Sequence, residues 1–240
     1  MRFVCVLALF LAVTSSHVYG DGIVRDLPSA GQWSKYRMSE RWSDGTQREL
    51  TITIKRLLTT SETHSALTWL EVVFETLDGK TRSAYRFLTP EESLSNGDSL
   101  ADAVDVWVRK HDGKSTRDMG WGNFLPRLSL VCMPKLANEM RNAEDETLNV
   151  NGETLICPRV SGKYSKTYPG ETVNADCMLS TSPCIPFGVA HAVYDMRCIG
   201  KCDPDPTAEC NLTTGIVEFR ITDFGNAAEA LVDVTHEKGK

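Results

Sequence analysis

The sequence predicts an α+β fold, mainly antiparallel β: a curved open sheet, an unclosed barrel, wrapped around one or two short helices. Three observations lead there. Apolar and polar residues alternate with period two over most of the chain. Hairpin-type turn pairs separate the alternating runs. One mid-chain stretch changes to helical spacing. The stiffest feature is Thr181-Ser-Pro-Cys-Ile-Pro-Phe-Gly188. Pro183 and Pro186 donate no ladder hydrogen bond and belong at a strand end or edge. The corner therefore joins an alternating run at 171–180 to another at 187–196.

The first twenty residues read as a secretory leader. Arg2 precedes an apolar run from Phe3 to Val13, and small residues end at Gly20. Eleven apolar residues are too few for an ordinary membrane span. Cys5 lies inside that run, so it is no lipobox. The expectation is a signal peptide at 1–20, an exported chain (periplasmic or secreted), and one β-rich domain over 21–240 with a cysteine-rich loop at 198–210. No later stretch has the length and apolarity of a membrane span.

The chain carries 26 basic and 32 acidic residues, and loss of Arg2 with the leader raises the acidic excess by one. No basic block or stripe is present, which argues against nucleic acid as a partner. Of the 8 cysteines, Cys5 goes with the leader. Positions 132, 157, 177, 184, 198, 202 and 210 remain, an odd set for an oxidising compartment. Local spacing favours Cys177 with Cys184, and two of Cys198, Cys202 and Cys210. A closed disulfide stabilises by roughly 2–4 kcal/mol.

The mature chain opens with four alternating runs, 32–42, 47–57, 67–77 and 81–88. Leu50, Ile52 and Ile54 alternate with Glu49, Thr51, Thr53 and Lys55. Asp44-Gly45 and Asp78-Gly79 stand between runs as hairpin turns. Together they predict an antiparallel meander. Thr89-Pro-Glu-Glu92 offers a helix start, and Ser99-Leu-Ala-Asp102 a second capping box. Behind it Leu100, Ala103, Val104, Trp107 and Val108 recur at helical spacing, which predicts a helix whose Trp107 anchors it in the core. Residues 111–132 carry no clear period, and 135–145 read as another short helix.

Strands resume at 147–150, turn at Asn151-Gly152, and continue through 153–160 and 163–168 to Pro169-Gly170. After the corner strand, 200–215 reads as a loop rich in cysteine, proline and aspartate. Asn211-Leu-Thr213 matches a glycosylation acceptor. The last strand is 216–222, with Ile216, Glu218, Arg220 and Thr222 on one face and Val217, Phe219 and Ile221 on the other.

Chemistry is sparse. His191 is the one histidine on a predicted strand with a carboxylate, Asp195, on the same face, and an aspartate can fix a histidine tautomer. A hydrolase would also need a nucleophile, and no Gly-x-Ser-x-Gly elbow is present. Cys198, Cys202 and Cys210 with Asp203 and Asp205 lack the paired short knuckles of a zinc site, so a disulfide-stapled loop is the preferred reading. No Cys-x-x-Cys or phosphate-binding glycine loop occurs. The sequence implies no cofactor, metal site or catalytic residue.

One combination of short motifs carries a resemblance: Gln32-Trp-Ser-Lys-Tyr36, Glu146-Thr-Leu-Asn-Val-Asn-Gly-Glu-Thr-Leu-Ile-Cys157, Pro186-Phe-Gly-Val189 and Asp223-Phe-Gly225. Taken together they resemble a group of uncharacterised bacterial exported proteins. More distantly the chain is similar to the half-barrel of LolA/LolB-type lipoprotein carriers. That resemblance implies a curved sheet around one or two helices, with a concave side able to hold an acyl chain. The functional expectation is an exported, non-enzymatic protein binding an apolar small molecule or an envelope protein partner. The alternatives are a disulfide-stabilised structural or interaction module without a ligand cavity, or a hydrolase using His191.

Overall fold

A computed structural model describes residues 26–58, 67–80, 82–95, 103–109, 112–117, 137–168, 171–201 and 209–232. The leader, Cys132 and Cys202 lie outside the described residues, as does the 99–102 capping box. The described residues form eleven strands: β1 (Trp33–Trp42), β2 (Gln47–Arg56), β3 (Leu67–Thr76), β4 (Arg82–Pro90), β5 (Asp105–Arg109), β6 (Ser115–Arg117), β7 (Ala137–Val150), β8 (Glu153–Tyr168), β9 (Glu171–Thr181), β10 (Val189–Lys201) and β11 (Glu209–Gly225). One helical turn, α1 (Glu91–Ser95), follows β4.

All strands form one sheet in the order β6-β5-β4-β3-β2-β1-β11-β10-β9-β8-β7. It is antiparallel throughout and not closed into a barrel, as expected from the alternation. Two meanders run outward from a central seam where β1 pairs with β11, Trp33 opposite Gly225 and Trp42 opposite Gly215. The first and last of these strands thus meet in the middle of the sheet.

Period-two alternation sets the two faces. Tyr36 and Met38, Ile52 and Ile54, Leu70 and Val72, Phe87, Phe219 and Tyr194 point to one side and are buried. They belong to a single apolar cluster that reaches from β4 to Leu148 and Val150 on β7. Tyr194 and Phe219 pack edge-to-face at 6.0 Å. Each fully buried large apolar side chain stabilises by roughly 1.5–3 kcal/mol. We call this the inner face.

The 182–188 corner folds onto it. Ile185, Phe187, Val189 and Ala190 are buried. Ser34 donates to the carbonyl of Pro186 at 2.6 Å and the Tyr36 hydroxyl to that of Val189 at 3.0 Å. Phe187 sits at φ 67°, in the left-handed region, a conformation disfavoured for a residue with a Cβ.

β7 and β8 form a hairpin turning at Asn151 (φ 54°) and Gly152 (φ 80°), the positive pair a two-residue type I′ turn requires. Pro158 cannot donate to a ladder. Around it the β7–β8 register shifts between Ala143 and Glu146, and the inward positions of β8 change from Leu155 and Cys157 to Tyr164.

Three expectations are corrected. Residues 103–109 are not helical: Asp105–Arg109 is strand β5, pairing with β4 from Ala84↔Arg109 to Leu88↔Asp105. The run Val104-Asp-Val-Trp-Val108 alternates as readily as it repeats at helical spacing, and pairing with β4 decides it. Trp107 is buried, but on the outer face against Val73, Ala84 and Val232. Of the stretch 135–145 read as a short helix, residues 137–145 belong to β7, because the ladder to β8 overrides weak local propensity. The loop expected through 198–210 and on to 215 is mostly paired strand, with β10 running to Lys201, β11 starting at Glu209 and a bulge between Cys198 and Ile199.

Candidate functional site

A charged cluster gathers around His191, on the outer side of β8–β11. Position 191 alternates outward from Ala192 and Tyr194, and its Cα partners are Ser180 on β9 and Arg220 on β11. Ser180 in turn faces Arg159 on β8. These register relations place a serine, a histidine and two arginines in one row across four strands.

Glu146 joins them from β7. Flat strand spacing would hold β7 roughly 14 Å from β10, yet its carboxylate lies 2.9 Å from His191 Nδ1. The sheet is therefore folded at the Pro158 bulge. Glu146 also accepts the Ser180 hydroxyl at 2.6 Å and Arg159 at 2.7 Å, with Arg220 at 3.6 Å. On the other side His191 Nε2 lies 3.0 Å from Glu218 Oε1.

Burial raises the Glu146 pKa, but hydrogen bonds from Ser180, Arg159 and His191, together with the His191 charge, outweigh it and hold the carboxyl at about 2. Glu146 is an anion at any ordinary pH. Both imidazole nitrogens face carboxylates, so neither is left for a hydroxyl or thiol. Ser180 gives its proton to Glu146 and accepts Arg159 Nε at 3.2 Å. The geometry is that of an electrostatic clamp across strands, not of a poised base and nucleophile.

Sequence reasoning found His191 but assigned it Asp195. Asp195 is exposed, opposite Asp176 and Ile216. Glu146, Arg159, Ser180, Glu218 and Arg220 were missed. The Asn151-Gly152 turn was the one signal able to find the first two, since it folds 146 and 159 towards each other.

Below the clamp, the same face holds an open groove of about 390 Å³ with Arg141, Lys163, Asp176 and Asp195 along it. Its mixed charge suits water or a polar surface better than an alkyl chain. Among the described residues, no group of three or more His, Cys, Asp or Glu is placed to hold a metal ion, and no helix is long and apolar enough to cross a membrane.

Among the described residues, no disulfide joins Cys157, Cys177, Cys184 or Cys198 in this structure. Burial pushes the Cys157 thiol up, and the charges of Glu146, Cys184 and Asp145 add to it. Cys210 lies opposite Gly200 and Cys198 opposite Thr213, so these two are not directly facing.

No family model matches the chain, and no curated protein matches it. Among solved structures it is similar to a predicted lipoprotein of Parabacteroides distasonis, at TM-score 0.35 and 9% identity over 84% of this chain and 100% of the other. An exported protein of Bacteroides fragilis with a YmcC-like fold gives TM-score 0.35 and 8% identity over 82% and 97%. A DUF1329 family protein of Desulfovibrio piger gives 0.35 and 13% over 80% and 86%. Likeness at this level assigns neither family nor activity.

Proposed function

We propose that the protein is an exported, non-catalytic binding module of the cell envelope or exterior. In this reading the inner face of its unclosed sheet receives an apolar ligand such as an acyl chain, in the manner of the lipoprotein-carrier half-barrel it resembles. The observation that carries the reading is the continuity of that face: buried apolar positions follow one another from Phe87 on β4 to Tyr164 on β8, on a sheet whose edges, β6 and β7, never meet. A rolled apolar surface with an open edge can admit a chain from the side. The leader-like N-terminus supports export, and the saturated hydrogen bonding of His191 supports a role without catalysis.

Titration of delipidated full-length protein with a fluorescent fatty acid is the test. Saturable uptake, lost when Phe87→Asp charges the inner face, is the expected result. Uptake absent from a folded wild-type protein removes the ligand reading.

A second reading is favoured by the corner. Ile185 to Ala190 already occupy part of the inner face, bonded to Ser34 and Tyr36, as an interaction module filled by its own chain requires. A protein that takes up no fatty acid but co-purifies stoichiometrically with one envelope protein fits that module. For the hydrolase alternative, His191→Ala is decisive, since any hydrolytic activity that survives the substitution excludes it.

A further inference from the structure

The outer face of β2–β5 holds residues 229–232 of the same chain. Glu71 is 0% exposed and accepts Lys55 Nζ at 2.7 Å. The same carboxylate accepts two successive backbone amides, Leu231 N–H at 2.8 Å and Val232 N–H at 2.8 Å. Lys55 also donates to the carbonyl of Glu229 at 2.8 Å, and Arg86 to that of Val232 at 3.1 Å. Arg109 donates to the carbonyl of Leu231. The Val232 side chain, itself 0% exposed, fills a pocket of Val73, Ala84 and Trp107.

Nearly every polar contact here is to main chain, and a single pocket takes one aliphatic side chain. That division is how extended peptides are recognised: backbone bonds for affinity, one pocket for selection. Packing alone gives no reason for it. A buried Lys–Glu pair is no better for stability than apolar residues of similar volume, and here both its members are turned to a peptide backbone. The segment reaches the groove through Ala227 at φ 65°, a left-handed backbone disfavoured for a residue with a Cβ. Binding in cis therefore carries a strain that a separate peptide would not.

We propose that this groove is a binding site for an extended peptide with an aliphatic residue, supplied in trans by a partner protein, and that residues 229–232 occupy it as a built-in competitor. Charge fits the assignment, because Lys55, Arg86 and Arg109 outnumber Glu71 and suit carbonyl oxygens. The site is independent of the inner-face reading, and either can fail alone.

The test uses the full chain carrying Val232→Asp, which weakens the cis segment, and a labelled peptide with the sequence of residues 228–234. Fluorescence anisotropy is expected to show at least tenfold tighter binding to Val232→Asp than to wild type. Adding Glu71→Gln or Trp107→Ala is expected to abolish the gain. A folded Val232→Asp protein that binds the peptide no better than wild type overturns the proposal. If Val232→Asp does not fold, wild-type protein serves instead: millimolar peptide must speed hydrogen exchange at the Leu231 and Val232 amides, and unchanged exchange overturns it. A wild-type dimer dissolved by the peptide keeps the groove but overturns a separate partner, making the source a second copy of this chain.

Discussion

Gly215→Ala gives a change whose sign depends on the central seam. Gly215 faces Trp42 across β1 and β11. A Cβ there would come within 2.4 Å of Trp42 Cε3, 2.7 Å of Cδ2 and 2.9 Å of the Arg41 carbonyl oxygen. Its φ lies outside the left-handed region, so the backbone itself does not require glycine. In an ordinary strand, alanine would then stabilise by about 0.5–1 kcal/mol. Here the new methyl meets an indole and a backbone oxygen, and overpacking of that kind costs about 1–3 kcal/mol. The net expectation is a loss of about 1–2 kcal/mol. Urea unfolding followed by far-UV circular dichroism reads it as a lower midpoint with unchanged m, or as a melting temperature lowered by about 2–4 °C per kcal/mol. In a Trp42→Ala background most of the loss should disappear. Gly225→Ala, whose Cβ would approach Trp33 only to 3.2 Å, should cost less. A stabilised Gly215→Ala, or a loss unaffected by Trp42→Ala, would refute the register.

Three further outcomes are expected. Glu146 is held at about 2 when folded, against an ordinary 4.5, so its stabilisation is full above about pH 4.5 and is lost as pH falls towards 2. Glu146→Gln should remove on the order of 2 kcal/mol of that acid-sensitive stability, seen as a flatter unfolding profile below pH 4.5. Phe187→Ala should cost about 3–5 kcal/mol in denaturant, and Phe187→Gly about 1 kcal/mol less than that, because glycine relieves the left-handed φ; alanine faring better than glycine would contradict the corner. In oxidised protein, non-reducing peptide mapping should join Cys184 to Cys157. Cys184 acts electrostatically on Cys157, and Thr181 Oγ1 donates to the carbonyl of Pro158 at 3.4 Å, which sets the corner beside that thiol. A Cys177–Cys184 peptide would count against this.

Legibility followed the range of the forces involved. β1 to β4 could be read because alternation and Asp-Gly turns act within a few residues, and the same holds for β9, the Asn151-Gly152 hairpin and the last strand. The mid-chain segment misled because Val104, Val106, Trp107 and Val108 satisfy two periods at once, and only the partner strand β4 chooses. β7 misled for the opposite reason, since good helix formers were overruled by a ladder. The long β10–β11 hairpin was hidden behind cysteines and prolines that read locally as loop. The His191 clamp was legible in one residue alone, because Glu146 and Glu218 reach it only through strand order and the Pro158 fold. The Glu71 groove had no local signal, as its ligand is backbone 160 residues further on.

A single sheet is seamed by its first and last strands, β1 and β11, and native-state hydrogen exchange resolved by residue tests that seam most directly. Amides of β1 and β11 should be the slowest and should open together, with protection falling outward to β6 and β7. If β1 exchanges freely while β11 stays protected, or the two open at different denaturant concentrations, the seam is wrong, and the inner face built on it is wrong too.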